Sequence, residues 1–309
     1  MSGPHPTVES RAMRPLARLV TGILVVVLVV AAAFWWLDRR SGTDSAPDRP
    51  TATAGPSTPS TGAPSPAPTT TTPPPTTTTP SGLALPLQPR PARIAWAGDS
   101  VADTLHAAIA ADAAGRGVEV VNWTVSGCGL VRGFPAYDDL TEISFTRACD
   151  GGVLPHNQAI AASGAEVVTW LSTWETANRI VDGQGYVFGT PEGDAALMGL
   201  IDESAQLLMS RGARLVFLTV APNTTGPNRP ERDPALEQRT LHLNQLLRQY
   251  AATHADRVAV LDLASFVCPS GPPCPTEVDG ITLRPTDGGH FAGDGPAWVA
   301  PRVLDRLLG

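Results

Sequence analysis

The chain has 309 residues, 42% of them hydrophobic and 17% charged, with a formal net charge of -7. No cluster of Lys or Arg occurs beyond residue 90, which argues against a nucleic-acid partner. The length is ample for a sizeable core, but much of the N-terminal third has a non-globular composition, so one folded domain is expected over residues 91–309.

Residues 1–18 read as a short tail carrying Arg11, Arg14 and Arg18. Residues 19–37 contain no charged side chain and include Ile23-Leu24-Val25-Val26-Val27-Leu28-Val29-Val30. As a helix, such a segment at about 1.5 Å per residue approaches the thickness of a bilayer core. The preceding arginines favour a cytoplasmic N-terminus and an extracytoplasmic remainder, with Trp35 and Trp36 at the outer interface. Arg39 and Arg40 on the far side weaken that charge argument, and Asp38, Asp44 and Asp48 partly balance them. A cleaved signal peptide ending near Ala31-Ala32-Ala33 is the alternative. Continuation of the apolar run through Phe34-Trp35-Trp36-Leu37 favours a single-pass anchor, and either reading exports the rest.

Residues 38–90 are dominated by Pro, Thr, Ser and Ala. Such a stretch buries too little apolar surface to offset its ordering entropy, and its prolines favour extended conformations. A linker is expected, either a plain spacer or one whose hydroxyls carry O-linked sugars.

From residue 91 onward short β-rich runs alternate with helix-like runs. Strands are expected at Ala92–Ala97, Val118–Val125, Ala165–Leu171, Arg214–Val220 and Val258–Leu263. Helices are expected from Val101 to Ala114, from Pro191 to about Arg211, from Pro234, and from about Gly295 to Leu308. Thr190-Pro191 and Asp233-Pro234 each read as an N-cap followed by Pro at the first helical position. This alternation specifies an α/β three-layer sandwich around a parallel sheet of about five strands, whose ligands bind beyond the C-terminal strand ends. Four cysteines, Cys128, Cys149, Cys268 and Cys274, all fall in the exported part, where an even count suggests disulfides. Proximity in sequence favours Cys128–Cys149 and Cys268–Cys274. A metal site is the alternative, though no Cys-x-x-Cys spacing occurs.

Two short motifs lie at the ends of this domain. Gly98-Asp99-Ser100 joins the first strand to the first helix and places a hydroxyl at a helix N-terminus. Asp287-Gly288-Gly289-His290 puts a carboxylate three residues before an imidazole. Together they offer a nucleophile, a base and an orienting acid. This pair of motifs resembles the SGNH/GDSL hydrolase superfamily over roughly Ala92 to Gly309. The resemblance implies Ser100 as nucleophile, His290 as base and Asp287 as its orienter. It also implies an oxyanion hole that uses the amides of Ser100 and of Gly127, in Ser126-Gly127-Cys128 after the second strand.

One element of the family pattern is missing. Its third block ordinarily reads Gly-x-Asn-Asp, and the Asn donates to the oxyanion. Here the third strand is followed by Ser172-Thr173-Trp174-Glu175, with Trp174 in the place of the Asn. Asn178 is a candidate to reach back, and Arg284 a candidate to bind a substrate carboxylate or to form a structural salt bridge. Trp174, at a strand end, is a candidate pocket residue. This pattern is similar to the SGNH domains associated with membrane acyltransferases that O-acylate bacterial surface glycans.

Other residues have plainer readings. Asp103-x-x-His106 lies on the first helix, and His106 would sit about 9 Å beyond Ser100 at about 1.5 Å per residue, on a solvated face. His156, His242 and His254 lack an evident acidic partner and read as surface residues. Trp123 and Trp170 read as core, and Asp99 as a cap or turn residue.

These readings converge on an extracytoplasmic serine esterase or O-acyltransferase acting on acyl esters of surface glycans. Its membrane partner would be an acyltransferase, and nothing in the sequence demands a metal or cofactor. A non-catalytic glycan-binding module and an esterase or lipase for small or lipid esters remain open.

Overall fold

The computed structural model describes residues 83–309. The expected tail at 1–18, anchor at 19–37 and most of the linker lie outside the described residues. Among the described residues, no helix is long and apolar enough to cross a membrane.

Five strands form the central sheet: β1 (Arg93–Gly98), β2 (Glu119–Thr124), β4 (Val167–Leu171), β7 (Arg214–Leu218) and β8 (Val258–Leu261). Their spatial order is β2-β1-β4-β7-β8, and every pairing is parallel. The inner strands β1, β4 and β7 are buried almost throughout, as expected for strands covered on both faces. That is why they read as unbroken apolar runs in the sequence.

The chain first steps from β1 outward to β2, then reverses through β4, β7 and β8. Right-handed crossovers place α1 (Ser100–Gly115) on one face of the sheet. They place α2 (Arg147–Ala162), α3 (Pro191–Leu208) and α4 (Pro234–Thr253) on the other. After the short α5 (Leu263–Val267), the last helix α6 (Gly295–Leu308) packs against α1. Trp96, Trp170 and Phe217 fill the centre at 1% exposure or less, so Trp170 is core as its strand position implied. The reversal of strand order beside β1 creates a crevice at the carboxyl edge, and Ser100 follows β1 directly.

Thr190 and Asp233 cap α3 and α4 through their side chains, accepting from the Gly193 and Leu236 amides. Several elements were not legible, a long helix and a second sheet among them. Helix α2 contains Pro155 and lacks a side-chain cap. A small antiparallel sheet joins a local hairpin of β5 (Asn178–Val181) and β6 (Gln184–Tyr186) to β3 (Phe134–Ala136), which is far from it in sequence. The reading of residues through 90 as linker also needs correction. Leu87 is fully buried and its amide donates to Leu307 O at 2.9 Å, and Arg214 donates to Gln88 O at 2.9 Å. The segment from residue 83 packs onto the domain because Leu87 supplies apolar area to the α6 side of the core.

Candidate active site

Ser100 opens α1 where the chain leaves β1. The junction is tight: a Cβ on Gly98 would lie 1.8 Å from Leu171 O on the neighbouring strand, so only glycine fits. Asp99 is fully buried and serves this turn rather than the reaction centre. Its Oδ1 accepts from the Val101 amide at 2.8 Å, capping α1. Its Oδ2 accepts from the Thr173 amide and hydroxyl, both at 2.6 Å. The turn that carries Ser100 is therefore tied to the segment after β4.

His290 reaches Ser100 across 190 positions, with Nε2 to Oγ at 2.7 Å. Its Nδ1 lies 2.6 Å from Asp287 Oδ2. A carboxylate at Nδ1 holds the ring proton there and leaves Nε2 to accept from the Ser100 hydroxyl. The other Asp287 oxygen accepts from the Gly289 and His290 amides, each at 2.9 Å. Burial by itself pushes the Asp287 carboxyl up; the bonds from the His290 amide and ring and from the Gly289 amide outweigh it and hold it at about 2. The Phe291 amide donates to Thr104 Oγ1 at 3.3 Å, which fastens this loop to α1.

These three side chains open onto a cleft of about 550 Å³. Trp174 lines it, standing edge-on to Phe145 with ring centroids 5.5 Å apart. Tyr137, Asn223, Arg229 and Arg239 line it as well. No intramolecular partner accepts from the Ser100 or Gly127 amide among the described residues, so both donors remain available. Gly127 lies outside the residues that line the cleft.

Several expectations are corrected. Asn178 does not reach back to the cleft. It is buried at 1% exposure, donates to Tyr137 O at 3.1 Å, and accepts from the Phe188 amide and from Arg239. Arg284 does not line the cleft, and among the described residues it forms no salt bridge. It is buried at 3% exposure, where its guanidinium donates to Pro222 O at 2.8 Å. Desolvation lowers its pKa to about 10, and the nearby Asp287 charge opposes that shift. His106 is half-buried rather than solvated, with a buried Nε2 that has no hydrogen-bond partner among the described residues. His242 has an acidic partner supplied by another helix, Asp194 Oδ2 at 2.6 Å. His254 stacks on Tyr250 and lies 3.8 Å from Asp202. His156 Nε2 donates to Trp123 O across 2.9 Å, with the half-buried Trp123 ring against it.

The cysteines pair as proximity suggested, Cys128 with Cys149 and Cys268 with Cys274. Glu175, which the motif comparison passed over, is 1% exposed and accepts from the Leu130 amide at 2.8 Å. It thereby braces the loop that follows Gly127. Burial raises its pKa, against the nearby Arg179 charge and the bonds from Ser172 and Leu130. Arg229 was also missed. Its signal was placement in the loop after β7, at the carboxyl edge where such sheets bind ligands.

The domain is similar to several solved structures. The lipopolysaccharide acetyltransferase periplasmic domain of Salmonella ser. Paratyphi A is 11% identical, with 69% of this chain and 82% of that one covered and a TM-score of 0.44. A GDSL-like lipase of Bacteroides thetaiotaomicron is 14% identical, covering 69% and 85%, with a TM-score of 0.44. The aryl esterase of M. smegmatis is 15% identical, covering 70% and 99%, with a TM-score of 0.42. Comparison with curated protein sequences gives no match. The model of the SGNH domain (fused to AT3 domains) matches residues 71–305, which contain both motifs, the five-stranded sheet and the cleft, and the chain therefore belongs to that SGNH family.

Proposed function

We propose that this domain is an extracytoplasmic serine esterase or O-acyltransferase that processes acyl esters of cell-surface glycans. The observation that carries the reading is the unbroken hydrogen-bond line from Ser100 Oγ through His290 to Asp287, at 2.7 and 2.6 Å, open to a cleft. Esterases and acyltransferases are the general chemistry of the family.

In this mechanism Ser100 Oγ attacks the ester carbonyl carbon while its proton passes to His290 Nε2. The carbonyl oxygen takes the negative charge, held by the Ser100 and Gly127 amides. Collapse breaks the bond to the alcohol oxygen, which receives the proton from His290, leaving an acyl group on Ser100. Water or a second hydroxyl then attacks the acyl carbon and gives its proton to His290. Breaking the acyl–Oγ bond returns that proton to Ser100 and releases acid or a new ester. Asp287 stays ionised and stabilises the imidazolium in each half.

The family's fusion to acyltransferase-3 domains supports a membrane acyltransferase as partner, supplying or receiving the acyl group. The apolar run at 19–37 supports anchoring of this chain in the same membrane, with the domain on the outer side. The test is labelling of the full-length chain with a fluorophosphonate probe, beside hydrolysis of acetyl esters. Labelling and turnover that both vanish in Ser100→Ala are expected. An unlabelled Ser100 would favour a glycan-binding module.

A further inference from the structure

We propose that Arg229 forms an anion subsite of this cleft, so that the preferred ester carries a carboxylate or phosphate on its alcohol side. The proposal rests on the cleft being an ester-processing site. Six charged or imidazole side chains line the cleft: Asp138, Arg229, Asp233, Arg239, Asp287 and His290. Five of them are engaged. Arg239 pairs with Asp138 at 3.0 Å and also donates to Thr176 O and Asn178 Oδ1. Asp233 accepts from the Leu236 amide at 3.0 Å, and Asp287 and His290 hold each other. Arg229 alone among them has no side-chain partner within the described residues, although it is half-buried. A guanidinium in a partly enclosed cleft presents a fork of donors that matches carboxylate and phosphate oxygens.

The position of Arg229 is set by the same loop that carries His290. The Thr224 amide donates to Gly288 O, and the Asn228 amide to Thr286 O, each at 3.0 Å. The Gly226 amide donates to Arg229 O at 2.8 Å and the Arg229 amide returns to Gly226 O at 2.9 Å, closing a tight turn. The two loops touch closely enough that a Cβ on Gly288 would lie 1.8 Å from Thr224 O. His290 is the group that protonates the departing alcohol oxygen, so the alcohol lies on the His290 side of the acyl carbon. A guanidinium held on a loop fastened to residues 286–288 therefore addresses the alcohol portion rather than the acyl group. An acidic sugar, or one bearing a phosphate, has the matching chemistry.

Two measurements on the full-length chain decide this. The first is kcat/KM for O-acetyl glucuronic acid, O-acetyl glucose 6-phosphate and neutral O-acetyl glucose. Wild type should prefer at least one anionic ester, and Arg229→Gln should lower the anionic-to-neutral ratio by about tenfold or more, the usual size of a charge-assisted contact. Arg229→Lys should recover part of the ratio. Whichever of the two anionic esters shows the effect distinguishes a carboxylate from a phosphate. The second is binding of glucuronate, glucose 6-phosphate and inorganic phosphate by calorimetry, which needs no turnover. At least one should bind wild type and bind Arg229→Gln about tenfold more weakly. A ratio and an affinity that do not change in Arg229→Gln would overturn the anion subsite while leaving the esterase reading intact. Binding that depends on Arg229 without any ester turnover would sink the esterase reading instead.

Discussion

Asp99 Oδ2 accepts both the amide and the hydroxyl of Thr173 at 2.6 Å, tying the turn before Ser100 to the end of the adjacent strand. Both oxygens of this buried carboxylate accept from backbone amides, Oδ1 from Val101 and Oδ2 from Thr173. In Asp99→Asn one oxygen becomes an NH₂ group, and either orientation of the amide points a donor at a donor. The variant should lose roughly 2–4 kcal/mol of stability, read from the urea midpoint, and turnover should fall with it. An unchanged midpoint would show that the turn holds without this carboxylate.

Ser100→Ala and His290→Ala should each lower kcat on activated esters by at least about 10³-fold, and the double variant should be no worse than either alone. Asp287→Asn should keep more activity, because Asp287 orients the ring and does not bond to substrate. Steady-state kinetics of the four variants beside wild type would check this. Additive losses would mean that the residues do not act as one unit.

Glu175 gives a pH signature. Burial raises its folded pKa, so above the ordinary glutamate range near 4.3 the unfolded chain releases a proton that the folded chain keeps. Wild type thus loses stability through this group as pH rises from that range toward the raised folded value. Glu175→Gln retains an acceptor for the Leu130 amide and cannot ionise. The Tm difference, variant minus wild type, should grow more positive between pH 4 and 7. A constant difference would indicate that the carboxyl is ionised in the folded protein.

Trp174 lines the cleft, and the resemblance to the SGNH/GDSL pattern expects an Asn that donates to the oxyanion at this position. Removing one such donor costs about 10²–10³ in rate when a site uses it. Turnover of small activated esters by wild type should therefore be slow, and Trp174→Asn should raise kcat/KM about tenfold. A large loss would reveal that the indole already contributes.

The two disulfides should separate in their effects. Loops of 21 and 6 residues stabilise by about 3 and 2 kcal/mol on chain-entropy grounds. Replacing Cys128 and Cys149 with Ala should lower both Tm and kcat, because Cys128 follows Gly127, whose amide is proposed as an oxyanion donor. Replacing Cys268 and Cys274 should lower Tm alone. Equal kcat in both double variants would remove the link between the first bridge and Gly127.

The amino-acid sequence by itself determined the five parallel strands, four of the long helices and the choice of Ser100, Asp287 and His290. Strands buried on both faces must be apolar throughout, Thr190-Pro191 and Asp233-Pro234 announce helix starts, and a Ser after a first strand with Asp-x-x-His before a last helix is a local pattern. Tertiary structure alone decided what pairs across distance. Asn178 is spent on Tyr137, Phe188 and Arg239, and Arg284 on the Pro222 carbonyl, because burial obliges a polar group to take the nearest partner. His242 and His254 gain Asp194 and Asp202 from another helix, which no spacing along the chain reveals. The β3-β5-β6 sheet, the bracing Glu175 and the unpartnered Arg229 likewise depend on which segments the crossovers bring to the carboxyl edge of the sheet. Local periodicity and capping are written in neighbouring residues, whereas the identity of a partner is set only when the chain closes on itself.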